Sequence, residues 1–371
     1  MEISFTQEHE ELRQMVRRFF EKDSTEAIVR KLMETESGYD ARSWERMASE
    51  LSLLGIGIPE QHGGAGLGPV EMGIVCEEMG RVLYCGPYLA SVVLAAAMVR
   101  EAAVDAEKSK LLSGIASGKT IATLAIAEEA GKWNPESIAM RATRDGAGYR
   151  LDGVKDFVLD GHTANVILVV ARDGETLALF RVDGNAKGLE RAQLPALDLT
   201  RKLAKLTFNG TPATRISDKD IAPQLRRVLT LGAAMLAAEQ AGGAQRCLEL
   251  STEYAKTRLQ FGRPIGSFQA IKHKCADMLV DTELARSAAY HAAFELAGED
   301  EAEAAEAAQI AKSFCSEAYY KAAAENIQIH GGMGFTWEHP AHLYFKRARA
   351  SSVIFGDPSE HRQRLAASLA L

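Results

Sequence analysis

The chain has 371 residues, of which 47% are hydrophobic and 25% are charged, a composition that fits a globular protein of two or three domains. Its 43 basic and 50 acidic residues give a net charge of −7 at pH 7, which argues against a general nucleic-acid or anionic-membrane binder. The five scattered cysteines form no CxxC pair, the N-terminus is charged, and no apolar run reaches bilayer length, so we expect a cytoplasmic protein without membrane insertion.

Residues 1–120 carry helical periodicity. In TQEHEELRQMVRRFFEKD, Leu12, Met15 and Phe19 fall near one face of a helix, and Thr6 precedes it as a candidate N-cap. Further helical patterns surround a glycine-rich loop, PEQHGGAGLGPVEMG, and they are ARSWERMASELSLLGIGIPE, VEMGIVCEEMGRV and YLASVVLAAAMVREAA. These patterns predict an N-terminal α-helical domain over residues 1–120.

Residues 121–224 change to short runs that are rich in β-forming residues. The runs are IATLAIA, YRLDGVKDFVLDG, ANVILVVAR, TLALFRV and KLTFNG, with Gly, Asp and Asn between them. They do not alternate with helical segments, so we predict a small antiparallel barrel or sandwich and not a series of βαβ units. No GxGxxG follows a predicted strand, which argues against a Rossmann nucleotide-binding unit.

Residues 225–371 return to long helices, which we predict to pack as a four-helix bundle. The first helix runs into a tight turn rich in Gly and Pro that begins at Arg258, and the second spans about residues 268–297. The third stops at Gly331 and is followed by further helical sequence. The predicted fold class is therefore mainly α with a central β domain.

Two other kinds of site are disfavoured by the motifs. His339 and His342 are three residues apart, but Pro340 between them breaks a helical face, so we predict no metal site. The sequence also contains no GxSxG, the turn that presents the serine of an α/β-hydrolase. Neither metal chemistry nor serine hydrolysis is the expected activity.

Three phrases point to one known family. They are YAKTRLQFGRPIGSFQAIKHKCADM from Tyr254, IQIHGGMGFTWEHP from Ile327, and LGIGIPEQHGGAGLGPVEMGIVCEEMGR in the first third. With the order helices, β domain, helical bundle, the whole chain resembles the acyl-CoA dehydrogenase family. The resemblance implies oxidation of the Cα–Cβ bond of an acyl-CoA substrate with FAD as the hydride acceptor, and an electron-transfer flavoprotein as the next acceptor.

The resemblance also implies a cofactor site shared between subunits of a homo- or hetero-oligomer, either a dimer or a tetramer. In the family the turn after the first long C-terminal helix contacts FAD bound mainly by a neighbouring subunit. Arg258 would bind the diphosphate with its planar guanidinium, Phe261 would pack on the cofactor, and Gln269 would bond the adenine side. Ser267 is a candidate cap of the next helix. The full implied set is Arg258, Gln260, Phe261, Ile265, Phe268, Gln269, Gln328, Gly331 and Gly332.

The catalytic carboxylate of the family has no direct counterpart in this chain. Most members place a glutamate where Gly356 stands here, and a subgroup places it where Gly232 stands. The remaining candidates for a catalytic base are Asp357, next to the usual position, and Glu239, on an apolar helix. Asp357 is also a candidate cap of the final helix, and Glu239 is also a candidate partner for a basic residue across the bundle.

The segments that match the family's flavin-ring site also depart from its pattern. The stretch AIAEEAGKWNPESIA replaces a phrase like Thr-Glu-Pro-x-x-Gly-Ser-Asp, and FVLDG replaces Trp-Ile-Thr-Asn, so Phe157, Leu159 and Asp160 stand at altered positions. We therefore expect one subunit of a heteromeric enzyme for a bulky acyl-CoA, such as one with a steroid side chain. The alternatives are a non-catalytic subunit that completes a partner's FAD site, or a flavin oxidase or monooxygenase on the same fold.

Overall fold

The computed structural model describes residues 5–370, in which helices occupy both ends of the chain and strands occupy the middle. The helices are α1 (Gln7–Asp23), α2 (Glu26–Met33), α3 (Ala41–Ser49), α4 (Pro69–Arg81), α5 (Ala96–Ala102), α6 (Asp105–Ala116), α7 (Ala222–Thr257), α8 (Gln269–Leu296), α9 (Glu301–His330), α10 (Ala341–Val353) and α11 (Pro358–Ser368). The strands are β1 (Ala122–Ala125), β2 (Ala142–Asp145), β3 (Gly148–Leu159), β4 (Val166–Asp173), β5 (Thr176–Asp183), β6 (Leu189–Gln193), β7 (Leu203–Arg215), β8 (Leu259–Gln260) and β9 (Arg263–Pro264). The predicted fold class is confirmed.

The described chain divides into two compact units. The helical unit comprises Met1–Lys31, Pro69–Tyr84 and Ala233–Leu371, and the sheet unit comprises Leu32–Gly68 and Cys85–Gly232. Helix α7 is divided between them after Gly232. The domain boundaries predicted near residues 120 and 224 divide the chain into three consecutive segments, whereas the two units combine separate segments. These boundaries stay a prediction.

Helix α1 begins where the sequence predicts it. The Thr6 hydroxyl accepts the His9 N–H at 3.3 Å, and His9 Nδ1 accepts the Thr6 N–H at 3.1 Å, which together form a capping box. The apolar face then buries Val16, Phe19 and Phe20 in the helical unit. Reciprocal capping satisfies two otherwise free N–H groups, so the cap fixes the first turn of the helix.

A seven-stranded sheet forms the centre of the sheet unit. Its strand order is β1-β4-β5-β7-β3-β2, with β6 paired to β7. Strand β1 pairs with β4 in parallel, and the chain between them, which includes β2 and β3, forms the crossover connection that a parallel pair needs. The other pairs of this sheet are antiparallel. The apolar run of β4 is buried from Ile167 to Ala171, whereas β3 alternates between buried and exposed residues over its first half.

Helices α4 and α7 cross in the helical unit with their backbones in contact. A Cβ atom placed on Gly80 of α4 would overlap the carbonyl oxygen of Glu239 in α7, and one placed on Gly242 of α7 would overlap that of Glu77 in α4. Each glycine therefore accepts the backbone of the other helix. Helix α9 packs along α8 and also contacts α10 and α11, so α9 lies in the middle of the C-terminal helices.

Two sequence predictions differ from the structure in detail. The second helix, for which Gly55 is the stop expected from the sequence, already ends at Ser49, because Ser52 adopts a left-handed backbone with φ of 52° and a short 3₁₀ turn, Leu53–Gly55, follows it. The helix predicted from Tyr88 begins as a π-helical segment, Tyr88–Ala95, before it continues as α5. Within residues 5–370, no helix combines the length and the apolar character that a membrane span requires.

Candidate functional site

The turn after α7 is a short hairpin that projects from the helical unit. Strands β8 and β9 pair Leu259 with Pro264 and Gln260 with Arg263. The two residues between the strands, Phe261 and Gly262, have φ of 53° and 76°, the left-handed pair that a tight type I′ hairpin turn requires.

The base of this hairpin is tied to the helices on either side. Ile265, which is half-buried, donates its N–H to the carbonyl oxygen of Arg258 at 2.8 Å. A 3₁₀ turn, Ile265–Ser267, leads into α8, and Phe268 occupies the N-cap position of that helix. The prediction that Ser267 caps α8 is wrong, because its hydroxyl donates to the carbonyl oxygen of Pro264 at 2.7 Å instead.

The tip of the hairpin is exposed, and an unpaired arginine lies at its base. Phe261 is 91% exposed, and its ring meets Phe268 edge-on, while Arg263 lies 4.2 Å over the Phe268 ring. Arg258 is exposed, and the described part of the chain offers its guanidinium no hydrogen-bond or ion-pair partner. Gln269, at the start of α8, is also exposed. An exposed, unpaired guanidinium is suited to bind an anion, such as a phosphate or a carboxylate, through paired hydrogen bonds.

The second predicted segment is the turn at the end of α9. Gly331 has φ of 59°, and a 3₁₀ turn, Gly331–Phe335, follows it. Gln328 is exposed on the last turn of the helix. A Cβ atom on Gly331 or Gly332 would meet nothing within 4 Å, so the backbone there is open to a ligand or another chain.

The structure brings these two segments together at their bases. The rings of Tyr254, near the end of α7, and His330, the last residue of α9, stack with centroids 4.3 Å apart. No local sequence pattern predicts this contact, because the two residues lie far apart along the chain. The sequence shows only that Tyr254 and His330 each lie in one of the phrases that resemble the family.

The candidate base Glu239 lies in a buried ion pair. Its side chain is 8% exposed, and its Oε1 accepts a hydrogen bond from Arg347 Nη1 at 2.8 Å. Arg347, which is 2% exposed, also donates to the carbonyl oxygen of Tyr84 at 3.1 Å. This geometry corresponds to the alternative interpretation of Glu239 as a partner for a basic residue across the bundle.

The other candidate base, Asp357, caps α11. Its Oδ1 accepts the N–H of Glu360 at 2.9 Å, and Pro358 occupies the first helical position. Asp357 is exposed and follows two residues with left-handed backbones, Phe355 at φ of 66° and Gly356 at 115°. The structure therefore gives each candidate carboxylate a structural contact of its own, and it places neither among the hairpin residues.

A buried lysine beside the Gly356 turn was missed by sequence reasoning. Lys312 is fully buried on α9, and its Nζ donates to Ser316 Oγ at 3.1 Å and to the carbonyl oxygens of Ser352 at 3.1 Å and Gly356 at 3.3 Å. Burial lowers the pKa of this amine to about 7. Its signal in the sequence is a single lysine within the apolar run AAQIAKSFC.

In the sheet unit, the segments that resemble a flavin-ring site are closed by their own side chains. A Cβ atom on Gly131 would lie 3.3 Å from Cε2 of Phe157, so the Phe157 ring lies against the Gly131 loop. Trp133 is 7% exposed, and Leu159 is 2% exposed with its carbonyl oxygen accepting the Thr123 hydroxyl at 2.6 Å. Leu159 offers no side-chain hydroxyl, and the Phe157 ring, which is 40% exposed, lies against the Gly131 loop, so these residues do not reproduce the contacts that the family pattern implies for an isoalloxazine ring.

A second buried amine, on β3, is hydrogen-bonded to the segment between β1 and the Gly131 loop. Lys155 is fully buried, and its Nζ donates to the carbonyl oxygen of Ile126 at 3.0 Å and to Glu128 Oε1 at 2.9 Å. Burial lowers the pKa of Lys155 to about 8, although Glu128 opposes the shift. Glu128 also accepts the N–H groups of Ala139 and Met140. Within residues 5–370, no group of three His, Cys, Asp or Glu residues is arranged to hold a metal ion.

Comparison with protein families gives two matches that together span most of the chain. The model of the acyl-CoA dehydrogenase N-terminal domain matches residues 6–119, and that of the C-terminal domain matches residues 223–370. Among curated relatives, acyl-CoA dehydrogenase IpdE2 from Mycolicibacterium smegmatis is 34% identical over 98% of this chain and 99% of its own length. Acyl-CoA dehydrogenase FadE27 from Mycobacterium tuberculosis is 31% identical over 100% and 99%.

Solved structures give the same result. A chain of the ChsE4-ChsE5 complex from Mycobacterium tuberculosis has a TM-score of 0.90 and 30% identity, with 100% of this chain and 99% of that chain covered. A chain of the Tcur3481-Tcur3483 steroid ACAD, in variant form, has a TM-score of 0.88 and 31% identity, with 98% of each chain covered.

Proposed function

The chain belongs to the acyl-CoA dehydrogenase family, and from that premise we propose that it is one subunit of a heteromeric, FAD-dependent enzyme that dehydrogenates a bulky acyl-CoA at Cα–Cβ. In this proposal the chain completes an FAD site that lies mainly on an unlike partner subunit. The relatives whose names include a two-component complex and a steroid enzyme support the heteromer and the bulky substrate.

One contrast between the two units carries the proposal. The hairpin of the helical unit exposes Arg258, Phe261 and Gln269, and the described chain offers the Arg258 guanidinium no hydrogen-bond or ion-pair partner. In the sheet unit, Leu159 offers no hydroxyl and the Phe157 ring lies against the Gly131 loop, so the segments where a flavin ring would be expected lack the contacts that the family pattern implies. A chain that keeps the residues for the diphosphate and adenine side, but not those for the flavin ring, is suited to complete another subunit's site.

The residues of this chain would bind the outer half of the cofactor. The Arg258 guanidinium would bind the diphosphate, and the exposed Phe261 would cover apolar surface. Gln260, Ile265 and Phe268 would line the same hairpin. Gln328, with the open backbone at Gly331 and Gly332, would contact the adenosine portion. When bound, FAD supplies the hydride acceptor for the oxidation of the Cα–Cβ bond.

The proton-abstracting carboxylate is assigned to the partner subunit. Glu239 is already paired with buried Arg347, and protonating it would leave that guanidinium without its counter-charge. Asp357 is engaged as the cap of α11. In this assignment the chain is a non-catalytic subunit that completes the partner's FAD site. We extend the proposal to an electron-transfer flavoprotein as electron acceptor and to a cytoplasmic location.

Exposed apolar side chains support a partner on the helical unit. Phe335 is 82% exposed beside the Gly331 turn, and Val280 and Leu284 on α8 are 57% and 52% exposed. With the exposed Phe261, these residues leave a large amount of apolar surface in contact with water, which is typical of a subunit interface. The proposed occupant is an unlike subunit of the same family, with its FAD at the boundary.

The test is co-expression with candidate partner subunits, followed by measurement of bound FAD. We expect the lone chain to purify with little FAD and the heteromer to contain it and to reduce a dye or an electron-transfer flavoprotein. In the heteromer, Arg258→Ala is expected to weaken FAD binding at least tenfold without preventing assembly. Lys256→Ala, which removes a nearby exposed cation at the end of α7, is the matched control and should leave FAD binding unchanged. A full FAD content and robust turnover by the lone chain would overturn the heteromer.

A further inference from the structure

We propose that Tyr254, His330 and His339 form an aromatic clamp that positions the hairpin and the Gly331 turn as one preformed surface for the adenosine diphosphate portion of the cofactor. The proposal rests on the function given above, and it assigns a positioning role to three rings that have no part in chemistry. It predicts that the cofactor affinity of the heteromer depends on a contact buried within this chain.

The clamp joins the ends of two helices. Tyr254 and His330 stack with centroids 4.3 Å apart and an interplanar angle of 27°, and His339 lies on the ring of His330 with centroids 4.2 Å apart. The Tyr254 carbonyl oxygen accepts the N–H of Arg258 at 2.8 Å, so the clamp reaches the first residue of the hairpin segment. His330 directly precedes Gly331, so the same stack reaches the second segment.

Hydrogen bonds fix the orientation of the central ring. His330 is 5% exposed, and its Nδ1 donates to the carbonyl oxygen of Asn326 at 2.8 Å. Asn326 is fully buried, and its Oδ1 accepts the hydroxyl of Ser251 on α7 at 3.0 Å. One turn before the clamp, α7 and α9 are therefore already bonded to each other, and the His330 ring has a single orientation.

The outer ring is held in a neutral form. His339 Nδ1 accepts the N–H of Ala341 at 3.2 Å, which requires that nitrogen to be unprotonated. Burial lowers the pKa of His330, and burial with the neighbouring His330 lowers the pKa of His339 to about 4. The two neutral rings, which are tilted by 42° to each other, pack together without the repulsion that two imidazolium ions would have at this separation.

Charged and titratable groups surround the clamp on two further elements. Glu26 of α2 raises the pKa of His339, whereas Arg30 of α2 and His342 of α10 lower it. Lys346 lies 5.0 Å over the ring of Trp337, which in turn stacks on His342. The cations among these groups disfavour a protonated His339, which keeps the stack neutral.

The hairpin needs an anchor of this kind. A two-stranded ribbon with two residues in each strand is not stable by itself in water, and its tip is exposed. If its base were loose, ordering it would oppose cofactor binding, whereas a preformed surface avoids that entropic cost. The clamp thus contributes to affinity without touching the cofactor.

The test combines hydrogen exchange with FAD binding in the heteromer. His330→Ala is expected to raise amide exchange at least tenfold in residues 258–268 and 331–335 and to weaken FAD binding about tenfold. His330→Phe, which restores a ring of similar shape, should recover most of both. His291→Ala is the matched control, because that ring lies on α8, pairs with Glu295 and contacts none of the three clamp rings, and it should change neither.

Two outcomes separate this proposal from the one it rests on. If His330→Ala leaves exchange in residues 258–268 unchanged, the clamp is wrong even though Arg258→Ala still weakens FAD binding. If Arg258→Ala leaves FAD binding unchanged, the proposed cofactor site is wrong whatever the exchange data show. Should His330→Ala fail to fold, His339→Ala removes only the outer, half-buried ring, and its exchange pattern decides the matter in the same way.

Discussion

At the scale of single residues, two glycines determine how closely α4 and α7 approach. Gly80 of α4 faces the backbone of Glu239 in α7, and Gly242 of α7 faces the backbone of Glu77 in α4. Neither glycine position has room for a Cβ atom. Helical glycine ordinarily costs about 1 kcal/mol relative to alanine. The close crossing explains why that cost is tolerated at these two positions, and it sets the place where Glu239 meets Arg347.

Gly80→Ala is therefore expected to destabilise the protein by about 1–3 kcal/mol, because the added methyl group would push α7 away from α4. The matched control lies on the same helix. A Cβ atom on Gly73 would meet Ala293 Cβ at 3.6 Å and Met235 Cε at 3.9 Å, which are ordinary contacts, so Gly73→Ala should be neutral or stabilising by about 1 kcal/mol. Chemical denaturation of the two variants measures the difference, and equal effects would contradict the reciprocal crossing.

At the scale of elements, the last helix depends on its cap. Asp357 supplies the side-chain oxygen that caps α11, and two side chains hold the turn before it. Lys312 donates to the Gly356 carbonyl oxygen, Arg364 donates to the Phe355 carbonyl oxygen at 3.3 Å, and Gly356 has a backbone that favours glycine. Gly356, where the family resemblance implies a glutamate, therefore lies in a turn that is held by side chains of α9 and α11.

Substitutions at Asp357 separate a cap from a catalytic base. Asparagine caps helices as well as aspartate does, so Asp357→Asn should leave stability within about 0.5 kcal/mol and leave turnover of the heteromer intact. Asp357→Ala should cost about 1 kcal/mol and also leave turnover intact at temperatures below unfolding. Loss of turnover in Asp357→Asn with unchanged stability would instead identify Asp357 as the base. Thermal unfolding and dye reduction are the two measurements.

At the scale of the whole molecule, each unit contains one fully buried amine. Burial lowers the pKa of Lys312 to about 7 and that of Lys155 to about 8. A folded-state pKa below the unfolded value of an amine means that the unfolded chain binds more protons between the two values. Stability must then rise with pH across that interval, because deprotonation removes the cost of burying a charge.

We expect the free energy of unfolding to rise between pH 7.5 and 8.5, by at most about 1.4 kcal/mol per pH unit for each amine. Lys312→Met should reduce that slope while lowering stability overall, because Ser352 and Gly356 would lose a hydrogen-bond donor. Lys155→Met is the parallel variant for the sheet unit. The window ends near pH 8.5 because burial raises the pKa of the Cys247 and Cys315 thiols, and the unfolded chain loses these protons first, which offsets the contribution of the amines at higher pH. An unchanged slope in both variants would contradict the assignment.

Much of the fold was available from the sequence, because it depends on local patterns. Periodicity of apolar residues located α1, α7, α8 and α9, and alternating runs located the main strands. Thr6 was identified as a cap from its position before an apolar face. The strands β2 and β6 were not predicted, because they are short, largely exposed and carry little apolar pattern.

The sequence by itself determined the family, the architecture and the phrases that carry Arg258 and Gly331, since these depend on residue order. Only the tertiary structure decided that Glu239 pairs with Arg347, that Phe157 closes its own loop, and that Tyr254 stacks on His330. Each of these contacts joins residues brought together by packing, and the free energy of such a contact is set by burial and geometry that no local pattern encodes.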